Sequence, residues 1–228
     1  MNYQKQLEEL IEQNKNYRKK LLLHSCCAPC SSYVLEYLRE YFDITVFFYN
    51  PNISSATEYE KRVQEEIRLI EAYNQQVKTG NFENMNSTKA AGLIEILEAP
   101  YEPSEFYQAV KGYEHCEEGG ERCKKCFELR LRKSAKVAKE RQFDFFTTTL
   151  TISPLKNAIW LNEIGRIEGE KEEILFLPSD FKKKDGYKRS IQLSKDFGLY
   201  RQDFCGCGFS KAEMEKRRMA QKENGKQE

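Results

Sequence analysis

The sequence predicts an α/β domain with a parallel sheet flanked by helices, and two observations carry that prediction. Apolar, β-branched runs alternate along the chain with segments of helical period, the pattern of right-handed βαβ units. The first strand-to-helix connection, HSCCAPCSS at 24–32, then puts thiols at the carboxyl edge of the strands, where open α/β sheets bind ligands.

Leu7, Leu10 and Ile11 outline a short amphipathic helix within an N-terminal extension, residues 1–18. The α/β domain is expected over 19–210. Lys19–Ser25 (KKLLLHS) is a basic entry followed by an apolar run and reads as a buried strand. Residues 31–42 carry Val34, Leu35, Leu38 and Phe42 at helical spacing. Residues 43–49 (DITVFFY) are β-branched and aromatic, a second buried strand, and Asn50-Pro51-Asn52 stops it. From 57 to about 76 the helical period returns through Tyr59, Val63, Ile67 and Ile70. A third strand is expected at 92–98, a long basic helix at 121–142, a strand at 143–149, a helix at 154–167 and a last strand at 173–177. Residues 211–228 are charged and read as a frayed helix or disordered tail.

The 37 basic and 36 acidic residues give a formal net charge of +1. Global charge therefore selects no partner, and contact with nucleic acid has to rest on local basic patches. No apolar run approaches the roughly 18–20 residues of a membrane span. The stretch MNYQKQLEELIEQNKNYRKK lacks the apolar core of a secretory signal, so a cytoplasmic protein is expected. At 228 residues a core forms without disulfide staples.

In a reducing compartment, clustered cysteines more often bind metal or do redox work than form frameworks. The eight here fall into three groups: Cys26, Cys27 and Cys30; Cys116, Cys123 and Cys126; Cys205 and Cys207. The first group precedes a helix, whose N-terminal N–H groups favour thiolates. Cys123-Lys-Lys-Cys126 has the spacing that lets two sulfurs reach one metal, and it opens a helix rich in Lys and Arg. Eight thiols suit two zinc ions, or one [4Fe–4S] cluster with a second site. The adjacent pair Cys26-Cys27 is awkward for one tetrahedral zinc, which favours iron–sulfur. Cys205-Gly206-Cys207 suits a second metal, a redox-active disulfide or a fixed loop end. His24 reads as a ligand or proton donor, or equally as a strand-end histidine bonded to backbone. His115 reads as a solvated neighbour of Cys116.

HSCCAPCSS (24–32), YNPNISSATEYEKR (49–62), ERCKKCFELRL (121–131), TTTLTISPLKN (147–157) and DGYKRSIQLSKDFGLYRQDFCGCGFS (185–210), in this order, resemble the H-type epoxyqueuosine reductases. The resemblance implies a Rossmann-like sheet akin to the PP-loop (HUP-like) nucleotide-binding proteins. It implies removal of the epoxide oxygen from epoxyqueuosine in tRNA, the last step of queuosine biosynthesis. It also implies a [4Fe–4S] cluster with an adjacent mononuclear iron or redox-active disulfide, and a tRNA substrate with a GUN anticodon. PP-loop proteins place a glycine-rich pyrophosphate loop where this chain has SCCAPCSS, which argues against ATP use.

An epoxide opens more readily when its oxygen is protonated or bound to a Lewis acid, and two electrons must then arrive. Cys26, Cys27, Cys123 and Cys126 are assigned to the cluster, and Cys205 and Cys207 to the redox pair or second metal. Cys30 and Cys116 stay open as metal ligands. Cys30 and His24 join Cys205 and Cys207 as candidate catalytic groups. No nucleotide or flavin motif is present, so an external electron donor is expected. Lys182 and Lys183, with Tyr187 and Arg189, form a candidate phosphate patch. A second is the face carrying Arg130, Arg132, Lys133 and Lys136. Tyr49, Asn50, Tyr59 and Arg62 are expected to frame a pocket for a flipped base. Two other readings stand beside this one: an iron–sulfur-dependent tRNA sulfurtransferase, and a zinc-stabilised RNA-binding module without catalysis.

Overall fold

In the computed structural model, which describes residues 2–224, strand β1 (Lys19–Ser25) lies at the centre of a five-stranded sheet. Leu21, Leu22 and Leu23 explain that place. Leu21 and Leu23 enter one apolar cluster and Leu22 the other, so both faces of the strand need cover. With β2 (Phe42–Phe48), β3 (Ile94–Glu98), β4 (Phe145–Thr148) and β5 (Leu175–Phe176), the order is β3-β2-β1-β4-β5, and every pairing is parallel.

One face is covered by α1 (Tyr3–Asn14), α2 (Ala28–Leu38) and α3 (Ala56–Thr79) through Leu7, Ile11, Val34, Leu35, Leu69 and Tyr73. The other carries α5 (Glu121–Glu140) and α6 (Ala158–Glu172), which bury Phe127, Leu131, Leu161 and Ile164. The short α4 (Pro103–Ala109) precedes α5, α7 (Gly186–Asp196) packs on α2, and α8 (Gly208–Asn224) closes the chain. Among the described residues, no helix is long and apolar enough to cross a membrane.

The topology fixes where a ligand fits. The chain builds β1, β2 and β3 in one direction, then returns to lay β4 on the other side of β1, with His24 opposite Thr148. The connections leaving β1 and β4 therefore diverge and open a crevice at the carboxyl edge. Pro29 lies in the first turn of α2, where its missing N–H costs no helical bond.

Several boundaries differ from expectation. Phe42 opens β2 and pairs with Lys19; it does not close α2, which ends at Leu38. The helix expected from 154 starts at Ala158, because Asn157 caps it by accepting from the N–H groups of Ile159 and Trp160. The last strand shrinks to two residues. α4 and α7 were not expected. In α7 the buried side is mostly small or polar (Gly186, Ser190, Ser194), so an apolar count misses it. A Cβ at Gly186 would lie 1.9 Å from the Phe181 carbonyl oxygen, so only glycine lets α7 start this close. Leu7 of α1 is fully buried in the main core, and α8 runs through residue 210.

Candidate metal centre

A cavity of about 260 Å³ lies at this crevice, walled by the connection after β1, the segment after β4, the start of α5 and the stretch before α8. Seven of the eight cysteines line it: Cys26, Cys27, Cys30, Cys123, Cys126, Cys205 and Cys207. Cys116 does not. Its thiol lies 3.9 Å from His115 Nε2, and the pair stands apart from the cavity.

The thiols of Cys26, Cys27 and Cys30 all lie within 4.8 Å of one another, so Cys30, unassigned from spacing, shares the first site with the adjacent pair. Cys26 and Cys27 sulfurs are 3.7 Å apart. The Cys26 N–H donates to Thr149 Oγ1 (3.3 Å), and that hydroxyl donates to the Cys26 sulfur (3.6 Å). Hydrogen bonds from the Cys27 and Cys30 thiols hold the Cys26 thiol well below its ordinary value. The same contacts push Cys27 up to about 12 and raise Cys30. The loop is thus built to carry thiolate at Cys26 first.

Cys123 and Cys126, one helical turn apart on α5, share the face turned to the cavity. The Gly119 N–H donates to the Cys123 sulfur (3.2 Å), and the Ser210 N–H donates to the Cys207 sulfur (3.3 Å). Burial pushes Cys126 up to about 11 and Cys207 to about 12. Gly206 has φ +120°, and a Cβ there would meet Ile53 and Arg62 at 3.0 and 3.1 Å, so the residue between the two cysteines has to be glycine. Arg62 clamps this loop. Its Nη1 donates to the Cys205 carbonyl (3.1 Å), its Nη2 to that of Phe204 (3.5 Å), and its Nε to Glu58 (2.7 Å).

Arg130, expected on a solvated basic face, is 1% exposed. It donates through Nη2 to Asn50 Oδ1 (2.6 Å) and through Nε to His24 Nε2 (3.2 Å), with Nη1 3.9 Å from the Cys126 sulfur. His24 Nε2 also lies 3.1 Å from the Tyr49 carbonyl oxygen, and its Nδ1 is 2.8 Å from Thr148 Oγ1, so both ring nitrogens are engaged. Burial and the Arg130 charge hold His24 down near 3. It is buried and neutral, lies off the cavity wall beside Arg130, and has no free ligand atom.

Of the expected substrate contacts, Arg62 and Tyr187 line the cavity. Asn50 supports the cysteine loop from below, donating to the Ser25 carbonyl (2.8 Å). Tyr49 donates to Glu105, and Tyr59 donates to the Ala99 carbonyl (3.1 Å). Lys182 is paired with Asp180 (2.9 Å), and Arg189 with buried Glu36 (2.6 Å). Lys183 is exposed and off the wall. Tyr49, Asn50, Tyr59, Lys182, Lys183 and Arg189 thus lie off the cavity wall.

Two residues were missed. Lys156 lies on the wall, close enough to Cys205, Cys26 and Cys30 for their thiolate charges to raise its pKa against the lowering effect of burial. Glu66, fully buried on α3, has no hydrogen-bond partner at either oxygen, and burial pushes it up to about 8. The signal for Glu66 was legible: an acid on the apolar face of α3, between Val63 and Ile70. Lys156 had none, since its direction depends on a turn.

A family model described as epoxyqueuosine reductase QueH matches residues 21–213. The chain belongs to the QueH family. A QueH protein named epoxyqueuosine reductase from Staphylococcus aureus is 43% identical over 214 residues, covering 92% of this chain and 84% of the relative. One from Streptococcus pyogenes is 39% identical, covering 92% and 78%. One from Thermotoga maritima is 34% identical, covering 83% and 89%. The QueH match spans all three cysteine groups and stops within α8.

Proposed function

We propose that this chain reduces epoxyqueuosine in tRNA to queuosine, a two-electron removal of the epoxide oxygen as water and the last step of queuosine biosynthesis. The observation that carries the reading is the convergence of seven cysteines from three separate regions on one cavity. Membership of the QueH family, whose relatives bear the reductase name, supports it.

The donor set fits an iron–sulfur centre: soft thiolates, a loop that favours deprotonation at Cys26, and the buried cation Arg130 beside Cys126. A [4Fe–4S] cluster, held in our reading by Cys26, Cys27, Cys123 and Cys126, supplies single electrons. Cys205 and Cys207 serve a second site, as ligands of a mononuclear iron or as a redox-active pair. Arg62 keeps that pair in place through the carbonyls of Phe204 and Cys205. Tyr187, at the rim, offers a flipped base an aromatic face. The remaining proposals are a GUN anticodon in the substrate, an external low-potential electron donor, a cytoplasmic location, and kinship of the sheet with the PP-loop fold.

The test is anaerobic reconstitution with iron and sulfide, followed by reaction with epoxyqueuosine-containing tRNA and a low-potential reductant. Queuosine in the nucleoside digest and about four or more irons per chain are expected. Stoichiometric zinc without iron, and no turnover, would favour the zinc-stabilised RNA-binding module instead.

A further inference from the structure

Opening an epoxide needs a proton as well as electrons, and His24 lies off the cavity wall with both ring nitrogens engaged. The cavity wall has few other donors, and most are engaged. Arg62 is spent on Glu58 and the loop carbonyls, Arg122 on Glu213 (2.7 Å), and Arg201 on Ser194 Oγ (3.0 Å). Arg217 faces Glu213 (3.8 Å), Asp203 pairs with Arg218, and Glu118 accepts from Ser210 Oγ (3.1 Å). Lys156 is the charged side chain on the wall whose head group makes no hydrogen bond or ion pair to an oxygen among the described residues. Tyr187 also lacks such a bond, but it is 37% exposed and stands at the rim.

The local structure holds Lys156 in place. A 3-10 helix (Thr149–Ile152) follows β4, and a turn then closes with the Lys156 N–H donating to the Ser153 carbonyl (3.2 Å). Asn157 caps α6 immediately after. Between these fixed ends Leu155 points out, 77% exposed, and Lys156 lies on the cavity wall that the cysteines also line.

We propose that Lys156 is the hydrogen-bond donor for the epoxide oxygen and the proton source when the first C–O bond breaks. This rests on the reading of the cavity as the place of epoxide reduction. Two electrons come from a low-potential one-electron donor, dithionite in the assay. As the first C–O bond breaks, the oxygen takes the ammonium proton of Lys156 and becomes a hydroxyl. When the second C–O bond breaks and the C=C bond forms, the oxygen leaves as hydroxide, and a second proton from solvent makes it water. Solvent then returns a proton to the Lys156 amine.

The test compares wild type with Lys156→Met, Lys156→Arg and Lys156→Ala, each reconstituted anaerobically, with iron content, visible spectrum and tRNA affinity measured beside turnover. Lys156→Met is expected to keep its iron, bind tRNA within about twofold, and lose about 100-fold or more in kcat. Lys156→Ala is expected to regain activity with added small primary amines, faster for the more acidic ammonium ions. Three results would overturn the proposal: Lys156→Met turning over within about threefold of wild type, iron lost in proportion to activity, or no rescue of Lys156→Ala by any amine. Absence of turnover in wild type would instead sink the reading on which it rests. Lys156→Arg keeps the charge but not the ammonium geometry, and full activity with arginine would be a fourth overturning result.

Discussion

Replacing Glu66 by glutamine should stabilise the protein increasingly as pH rises. Glu66 is fully exposed to the cost of burial, with neither oxygen hydrogen-bonded and only the nearby hydroxyls of Ser31 and Ser25 to soften it. The negative charge of Cys26 adds to that cost. The native carboxyl is pushed up to about 8 from an ordinary 4.5, so the folded chain keeps a proton that the unfolded chain releases. Its contribution to stability is therefore complete below the unfolded value, falls as pH rises, and levels off once the folded group ionises. At about 1.36 kcal/mol per pH unit, this loss is about 1 kcal/mol at pH 5 and about 3 kcal/mol at pH 7. Glutamine has the same shape and no proton to lose. The stability difference between Glu66→Gln and wild type should thus grow by about 2 to 3 kcal/mol from pH 5 to pH 7. Urea unfolding of the reduced metal-free proteins, followed by the fluorescence of the single Trp160, measures it at each pH. Subtracting the two proteins removes every other titration except the coupling to Cys26. Parallel stability curves across this range would show that Glu66 is already ionised at low pH, and that its pocket is better solvated than its burial indicates.

Cys205→Ser with Cys207→Ser should abolish epoxide reduction while most iron and the visible spectrum remain; loss of the cluster together with activity would make these two primary ligands. Cys116→Ser should change iron content and turnover by less than about twofold, because its thiol lies off the cavity wall; colourless protein would refute that placement. Arg62→Ala should leave two backbone carbonyls without a donor and loosen the Cys205 loop. A loss of about 2 to 4 kcal/mol in stability is expected, with faster alkylation of Cys205 by iodoacetamide; unchanged alkylation would show the loop is held by other contacts.

The sequence by itself determined the strand–helix alternation, the buried strand Lys19–Ser25 and the three cysteine groups. Those signals are local: a run of leucines buried on both faces, a helical period, a spacing of thiols. Its motifs also carried the family, because they lie in one order over most of the chain. It did not determine which polar residues face the cavity. Arg130 sits in a basic segment and reads as solvated, yet the sheet places Asn50 and His24 beneath it, and it becomes a buried cation beside Cys126. Arg189 looks like a phosphate contact, but α7 packs on α2 and hands it to Glu36. Lys156 gains its direction from a turn held between a 3-10 helix and a capped helix. For charged side chains the deciding quantity is the partner available after folding. That partner lies 106 residues away in the Arg130–His24 contact and 153 away in the Arg189–Glu36 pair, beyond the reach of any local pattern.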